Sequence, residues 1–295
     1  MRKQSLSSKA QVSSLLWIFI AILFTSACQK NASPTSQAHQ QAHQQAHQQA
    51  HQQAHQQASQ QAIITHTDID PQQVYPISDV KDSGLKLMAL SNGLHLFPSP
   101  LLKKKEKSKE KSKSKELILL VHGYGSNGYE WVHALHQSYQ HTDVGFYKWD
   151  YQLCHHQASL DLSKMLETLN GQYQKIKIYA HSYGGIITSL AAFQQKALAL
   201  DLNIIASPLA GHPKLKDRCG FEGVQGKVPE GQNWTQWQTL VHLDNAFKDL
   251  PVNPQIVSID GMKVVLLPDE YQGQRLGHNW SISYVIDKMK SSQSY

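Results

Sequence analysis

One stretch in the middle of the chain constrains the fold more than any other. Residues 175–179 contain the apolar side chains of Ile176, Ile178 and Tyr179, two of them β-branched, and the segment stops abruptly at small residues around Ser182. Residues 186–193 are almost all apolar or small, which indicates a buried helix. The order of strand, tight turn and helix therefore predicts a sharp turn with the serine side chain at its apex.

The small residues around Ser182 match the requirements of a nucleophile elbow. The usual elbow motif is G-x-S-x-G, and here Ala180 replaces the first glycine while Gly184 keeps the second. The serine of an elbow has a strained backbone, and the residues two before and two after it face the strand and the helix closely. The motif alone leaves a second reading open, in which an ordinary strand–helix turn happens to contain a serine.

The net charge of +6 resides in one short segment. Residues 103–115 contain eight lysines and two glutamates, so this segment accounts for the whole net charge. A nucleic-acid-binding protein would spread basic residues over a folded face. We therefore expect a solvated Lys-rich loop at 102–115 and no nucleic-acid partner. The 40% hydrophobic content suffices for one large α/β domain plus appendages.

The first 28 residues have the features of an export signal. Basic residues precede a ten-residue apolar run at 15–24, which is short for a membrane span. Small residues then lead to Cys28, an order that resembles a bacterial lipoprotein signal in which this cysteine is lipidated. A plain secretory signal cleaved nearby is the alternative. Because Gln29 is not aspartate, the resemblance implies an outer-membrane anchor if the organism is Gram-negative.

Residues 29–62 form a low-complexity segment rich in Gln, Ala and His. Histidine recurs at every fourth position from His39 to His55. Such a tract cannot bury enough apolar surface to fold alone, so we interpret it as a tether. The alternative is a tract that binds Zn²⁺, Ni²⁺ or Cu²⁺, although no carboxylate or cysteine completes a ligand set.

The remaining residues, 63–295, are predicted to form the folded domain. Asn92-Gly93 lies between apolar runs at 84–90 and 93–98 and predicts a β-hairpin. Helices are expected at 160–169 and 281–290. Further strands are predicted at 116–121, 145–149, 202–206, 239–243 and 263–267. Strands that alternate with helices imply an α/β fold, with a mostly parallel sheet and helices on both faces.

Three motifs on these elements resemble the α/β-hydrolase superfamily, in its lipase and esterase branch. They are Leu-Val-His-Gly-Tyr-Gly at 120–125, Ala-His-Ser-Tyr-Gly-Gly at 180–185 and Leu-Gly-His-Asn at 276–279. The similarity covers about residues 85–290 and implies the α/β-hydrolase fold. By this match, the backbone N–H groups of Tyr124 and Tyr183 would form the oxyanion hole.

Serine is a poor nucleophile unless a base removes its proton and an acid orients that base. The chain supplies Ser182, Asp244 and His278 in the order of the superfamily. His278 is preferred as the base because it follows the last predicted strand, whereas His181 is expected to point away from the serine. The acid is less determined, since Asp244 ends a predicted strand and Asp249 follows five residues later.

The expected function is an exported, lipid-anchored serine hydrolase that cleaves carboxylic esters of small or lipid-like molecules, with no metal or cofactor. The same residues could serve a thioesterase, an amidase or an acyltransferase. A surface lipoprotein without catalysis, which binds metal through its histidine tract, is a further alternative. Residues 211–237 could form a lid or an ordinary surface excursion. Whether Cys154 and Cys219 form a disulfide is left open.

Overall fold

The computed structural model describes residues 63–67, 69–100, 116–195 and 198–291. The predicted signal peptide with Cys28, the histidine tract and the Lys-rich loop at 102–115 lie outside these residues. None of the helices in the described ranges is long and apolar enough to cross a bilayer.

An eight-stranded sheet forms the centre of the domain, in the order β1-β2-β4-β3-β5-β6-β7-β8. The strands are β1 Ile64–His66, β2 Gly93–Phe97, β3 Glu116–Val121, β4 Asp143–Lys148, β5 Lys175–His181, β6 Leu200–Ile205, β7 Asn233–Gln238 and β8 Lys263–Leu266. The strands from β3 to β8 run parallel, while β2 pairs antiparallel with β4 and carries β1 beside it. A small hairpin of β9 Glu270–Tyr271 and β10 Gln274–Arg275 lies outside this sheet.

Helices cover both faces of the sheet. They are α1 Pro71–Val74, α2 Val80–Met88, α3 Tyr129–Tyr139, α4 His155–Leu169, α5 Tyr183–Gln194, α6 Pro213–Cys219 and α7 Trp280–Ser291. Helices α4 and α5 pack on one apolar cluster, and α2, α3 and α7 pack on the other. Both faces of the sheet are apolar: in strand β3, Leu117 and Leu119 face the first cluster and Leu120 faces the second. The predicted α/β architecture is confirmed.

The register of the sheet brings two loops together. Val121, the last residue of β3, pairs with Ala180 near the end of β5. Because the two strands are parallel, the loop that follows β3 leaves the sheet beside Ser182. His181 in turn pairs with Ile205 at the end of β6.

The predicted hairpin at Asn92-Gly93 is wrong in its first half. Residues 84–88 belong to helix α2, and only Gly93–Phe97 forms a strand. The side chain of Asp79 caps the helix by accepting the N–H of Asp82, and Ser83, Gly84 and Leu87 form its buried face at helical spacing. Gly84 has no Cβ, which allows the backbone of Tyr129 to pass where a Cβ would lie 2.2 Å from its nitrogen.

The strand predicted at 239–243 is also wrong. Strand β7 lies earlier, at Asn233–Gln238, and Val241–Leu243 form a 3₁₀ turn. Trp234 and Trp237 of β7 pack into opposite faces of the sheet, so they belong to the core and not to a lid. Gln236 between them is fully buried and donates a hydrogen bond to the Gln255 carbonyl, 2.7 Å away. Because this buried position is polar, the sequence of β7 lacks the apolar pattern from which a strand is predicted.

Candidate active site

Ser182 occupies the sharp turn between β5 and α5. Its φ of 54° and ψ of −123° place a non-glycine residue in a strained backbone region. Two hydrogen bonds hold this conformation: the Ser182 N–H donates to the Ile205 carbonyl at 2.9 Å, and Ser207 Oγ donates to the Ser182 carbonyl at 2.7 Å. Ser182 is partly exposed to solvent.

Glycines after Ser182 allow this turn to pack against β3 and β6. A Cβ on Gly184 would lie 2.5 Å from the His122 carbonyl oxygen and 2.7 Å from that of Val121. A Cβ on Gly185 would lie 2.6 Å from Ser207 Oγ. The small residues expected around the serine are therefore required by close contacts with neighbouring strands and loops.

His278 and Asp244 lie together, as the order of motifs suggested. The Nδ1 atom of His278 is 2.9 Å from Oδ2 of Asp244, whose side chain is fully buried. The carboxylate also accepts from Thr239 Oγ1 at 2.5 Å and from the Ala246 N–H at 2.9 Å. Asp249 is exposed to solvent. Of the two candidate aspartates, Asp244 is therefore the one that contacts His278, and it follows a 3₁₀ turn where the sequence had predicted a strand.

With Nδ1–H donating to Asp244, Nε2 is the nitrogen of His278 that remains able to accept a proton. No hydrogen bond joins Ser182 Oγ to His278, both of which lie in the described ranges. Such contacts commonly tighten only when a substrate binds.

Two rings that sequence reasoning missed fix the imidazole of His278. The ring centroids of His181 and His278 are 4.5 Å apart, and Phe247 contacts His278 edge-on at 5.0 Å. His181 Nε2 also lies 3.0 Å from the His278 carbonyl oxygen. Burial, followed by the charge of His278, lowers the pKa of His181 well below its usual value. His181 therefore stays neutral and donates to that carbonyl.

The loop after β3 is fixed by buried polar contacts. His122 accepts the Trp149 N–H at Nε2 over 3.2 Å, and the Trp149 indole donates to the His122 carbonyl at 2.9 Å. The other ring nitrogen, Nδ1, donates to the Gly123 carbonyl at 2.9 Å. Burial lowers the pKa of His122 to about 4. A Cβ on Gly123 would lie 2.9 Å from Ser182 Cβ, so this loop passes directly beside the serine.

Glu130 stabilises the same loop from the first turn of α3. Ser126 Oγ donates a short hydrogen bond to Glu130 Oε1 and accepts the Gly128 N–H at 3.2 Å. Glu130 is buried, its Oε2 has no hydrogen-bond partner among the described residues, and burial raises the pKa of its carboxyl. Nothing in the spacing of these residues identified the contact beforehand.

The two predicted oxyanion-hole residues have different side-chain environments. Tyr124 is 55% exposed and its ring lies 5.0 Å from that of Tyr151. Tyr183 is buried, and its hydroxyl donates to the Leu153 carbonyl at 2.8 Å. Neither backbone N–H has a hydrogen-bond acceptor within the part of the chain that the structure describes. Both are available for a ligand oxygen.

Cys154 and Cys219 form a disulfide, which the sequence left open. Their Cα atoms are 5.5 Å apart, and the bond joins the start of α4 to the end of α6. Across the described ranges, no group of three or more His, Cys, Asp or Glu side chains is arranged to hold a metal ion. The histidine tract at 39–55 lies outside those ranges.

Comparisons with known proteins find no matching family model and no matching curated protein. Solved structures do match. Est1E from Butyrivibrio proteoclasticus is 10% identical, with 68% of this chain and 92% of that chain covered and a TM-score of 0.43. Carboxylesterase CesB from Bacillus subtilis is 10% identical, with 74% and 97% covered and a TM-score of 0.41. Alpha/beta hydrolase domain-containing protein 10 from mouse is 14% identical, with 60% and 89% covered and a TM-score of 0.41.

At these identities and TM-scores the likeness indicates nothing about the activity of this protein. The description of the fold rests on the strand order and not on these matches. A mostly parallel sheet with helices on both faces, with a serine on the turn after β5, is the α/β-hydrolase architecture that the sequence predicted.

Proposed function

We propose that this protein is a serine hydrolase that cleaves carboxylic esters, with Ser182 as nucleophile, His278 as base and Asp244 as orienting acid. The observation that carries the proposal is the 2.9 Å contact between His278 and a fully buried Asp244. The His278 ring packs against His181, the residue that precedes the serine of strained backbone geometry. A buried carboxylate that fixes one imidazole nitrogen leaves the other free to act as a base.

The proposed reaction assigns each of these residues one role. Ser182 Oγ attacks the ester carbonyl carbon while His278 Nε2 takes its proton. The π electrons of the carbonyl group move onto its oxygen. The resulting oxyanion accepts hydrogen bonds from the N–H groups of Tyr124 and Tyr183. The intermediate then collapses, His278 protonates the departing alkoxide, and an acyl-serine remains. Water, deprotonated by His278, then attacks the acyl carbon; the bond to Ser182 Oγ breaks as His278 returns the proton to it, which releases the acid and free Ser182.

The surroundings of His278 support this cycle. Asp244 offsets the positive charge that the ring gains when it takes the serine proton, and its other contacts prevent it from rotating away. The rings of His181 and Phe247 pack edge-on against the imidazole of His278. Thioesters, amides and transfer to an acceptor alcohol use the same residues, so a panel of such substrates and acceptors separates these activities from ester hydrolysis.

The test is hydrolysis of a short 4-nitrophenyl ester by the wild type and by Ser182→Ala. Loss of the nucleophile should lower kcat by about 10⁴–10⁶-fold. Ser159→Ala, which removes a hydroxyl bonded to the His156 carbonyl on α4, is the matched control and should retain wild-type activity. A folded wild-type protein with no activity on any ester, or equal activity in Ser182→Ala, would show the proposal to be wrong.

We also propose that the protein is exported and anchored by lipid on Cys28. The signal-like sequence supports this, and so does the Cys154–Cys219 disulfide, since disulfides persist mainly in oxidising compartments. Mass spectrometry of the mature N-terminus should find a lipidated cysteine that Cys28→Ala abolishes. An unmodified N-terminus upstream of residue 28 would contradict the anchor.

A further inference from the structure

The guanidinium of Arg218 lies beside the oxyanion loop, which is the loop after β3 that carries Tyr124, and its hydrogen-bond partners are neutral groups. Arg218 is the penultimate residue of α6, and its guanidinium is 5.6 Å from the ring centroid of Tyr124. It donates to Gln152 Oε1 at 3.4 Å and to the carbonyl oxygens of Tyr151 and Leu153, each at 3.5 Å. The described residues place no carboxylate oxygen within 4.0 Å of it.

A disulfide holds the backbone next to Arg218. Cys219, the residue after Arg218, forms the disulfide with Cys154, the residue after Leu153. The same Leu153 carbonyl that accepts from Arg218 also accepts from the hydroxyl of Tyr183. Arg218 is thus connected to both residues whose N–H groups are predicted to bind the oxyanion.

The charge of Arg218 is neither buried nor neutralised. Its side chain is exposed, and its neighbour on the same helix, Lys216, pairs with Glu222 at 3.1 Å. A guanidinium has five N–H donors in a planar fork that matches carboxylates and phosphates. Its three hydrogen bonds to neutral oxygens and its contact with the Tyr183 hydroxyl leave part of this fork for an anion. Hydrogen bonds between charged partners are about twice as strong as those between neutral ones.

We propose that Arg218 forms an anion-binding subsite beside the oxyanion loop, and that the preferred esters carry a carboxylate, phosphate or sulfate group within reach of it. This inference rests on the proposed ester hydrolysis and names the substrate class of that site. The ring of Tyr124, which is exposed and faces the guanidinium, forms the floor of the subsite.

The test compares esters that differ only by a methyl or a carboxylate group. For charge on the acyl side, the pair is 4-nitrophenyl hexanoate and the 4-nitrophenyl monoester of adipic acid. For charge on the alcohol side, the pair is 4-methylphenyl acetate and 4-acetoxybenzoate. The measured quantity is the ratio of kcat/KM for the anionic ester to that for its neutral partner, so that differences in chemical reactivity cancel between variants.

Arg218→Gln should lower this ratio about tenfold in one of the two pairs, because one charge-assisted hydrogen bond is lost. Any effect of the substitution on the neighbouring oxyanion loop changes both members of a pair alike and cancels in the ratio. Arg218→Lys keeps the charge and should give an intermediate ratio. Lys216→Gln removes an equal charge from the same helix and should leave the ratio at its wild-type value. The pair that responds identifies the side of the ester that carries the anion.

Equal ratios for wild type and Arg218→Gln in both pairs, with neutral esters still cleaved, would overturn the subsite and leave the proposed function standing. A wild type that cleaves no ester and accepts no serine-directed label would instead overturn the proposed function. If Arg218→Gln does not fold, the salt dependence of the wild type tests the subsite instead. Added salt should lower kcat/KM for the preferred anionic ester more than for its neutral partner. Equal salt dependence would contradict the subsite.

Discussion

Asp244 and Asp249 are separated by five positions in the chain and have opposite surroundings. Asp244 is fully buried with three hydrogen-bond partners, one of which is His278, while Asp249 is exposed. A carboxylate can hold an imidazole in one tautomer only if its own position is fixed. The environment of each residue, more than its type, therefore determines which aspartate could orient the base, His278.

Asp244→Asn should lower kcat about 10⁴-fold, because an amide cannot stabilise the imidazolium and favours the wrong tautomer of His278. Asp249→Asn is the matched control and should retain wild-type kcat. Steady-state kinetics on one ester, with circular dichroism to verify folding, measures both. A large loss in Asp249→Asn with none in Asp244→Asn would show that the acid is wrongly assigned.

The triad candidates could be predicted from the sequence because they follow short motifs in a fixed order. The contacts that orient them could not. His181 bonds to the carbonyl of a residue 97 positions away, and Glu130 reaches Ser126 through a buried turn. Such contacts depend on how loops from different strands meet, which neither spacing nor composition describes.

Among the elements, strands with continuous apolar runs were the easiest to predict. Strand β3 was found with correct ends because both of its faces are buried by apolar residues. Strand β7 was missed because Gln236 is buried through a hydrogen bond and not through apolar contact. Helix α2 was read as a strand because Asn92-Gly93 is a strong local signal, whereas the contact of Gly84 with Tyr129 is a tertiary one.

Gly184→Ala should destabilise the elbow by about 2–4 kcal/mol, since the new Cβ would overlap the backbone oxygens of Val121 and His122. Ester hydrolysis should fall as well, because the oxyanion loop must move. Urea unfolding measures the first effect and kinetics the second. Gly171→Ala is the control: its Cβ would meet nothing within 4 Å, so only the positive φ should contribute, by about 1 kcal/mol. Equal effects of the two substitutions would contradict the close packing.

The disulfide joins α4 and α6 across a separation of 65 residues. Replacing both cysteines by serine should lower the free energy of unfolding by about 2–4 kcal/mol, mainly because the unfolded chain gains conformational entropy when it is no longer cross-linked. Alkylation under non-reducing conditions checks that the bond is present, and denaturation with and without reductant measures its contribution. Free thiols at both positions in oxidised protein would contradict the structure.

At the scale of the whole domain, buried neutral histidines make stability depend on pH. The pKa of His122 is about 4 in the folded state and about 6.5 in the unfolded chain, so the unfolded state binds more protons between these values. The stabilisation is complete above pH 6.5 and is lost as pH falls. Between pH 8 and pH 5, His122 should account for a loss of about 2 kcal/mol, and His181 acts in the same direction.

Urea unfolding of the wild type and of His122→Asn at both pH values measures this contribution. The variant should be less stable at pH 8 and should lose about 2 kcal/mol less than the wild type on acidification. His242→Asn, at an exposed histidine, should show the wild-type dependence. A pH dependence that is identical in His122→Asn and the wild type would show that His122 is not held neutral.

The most direct test of the account is covalent labelling with a fluorophosphonate. Its phosphorus is attacked by an activated serine oxygen and fluoride leaves, so the label reports nucleophile, base and oxyanion hole together without knowledge of the natural substrate. Intact mass and peptide mapping should show one adduct per chain, on Ser182, which is absent in Ser182→Ala and strongly slowed in Asp244→Asn. A folded wild-type protein that remains unlabelled, or an adduct on another serine, would contradict the assignment of this site.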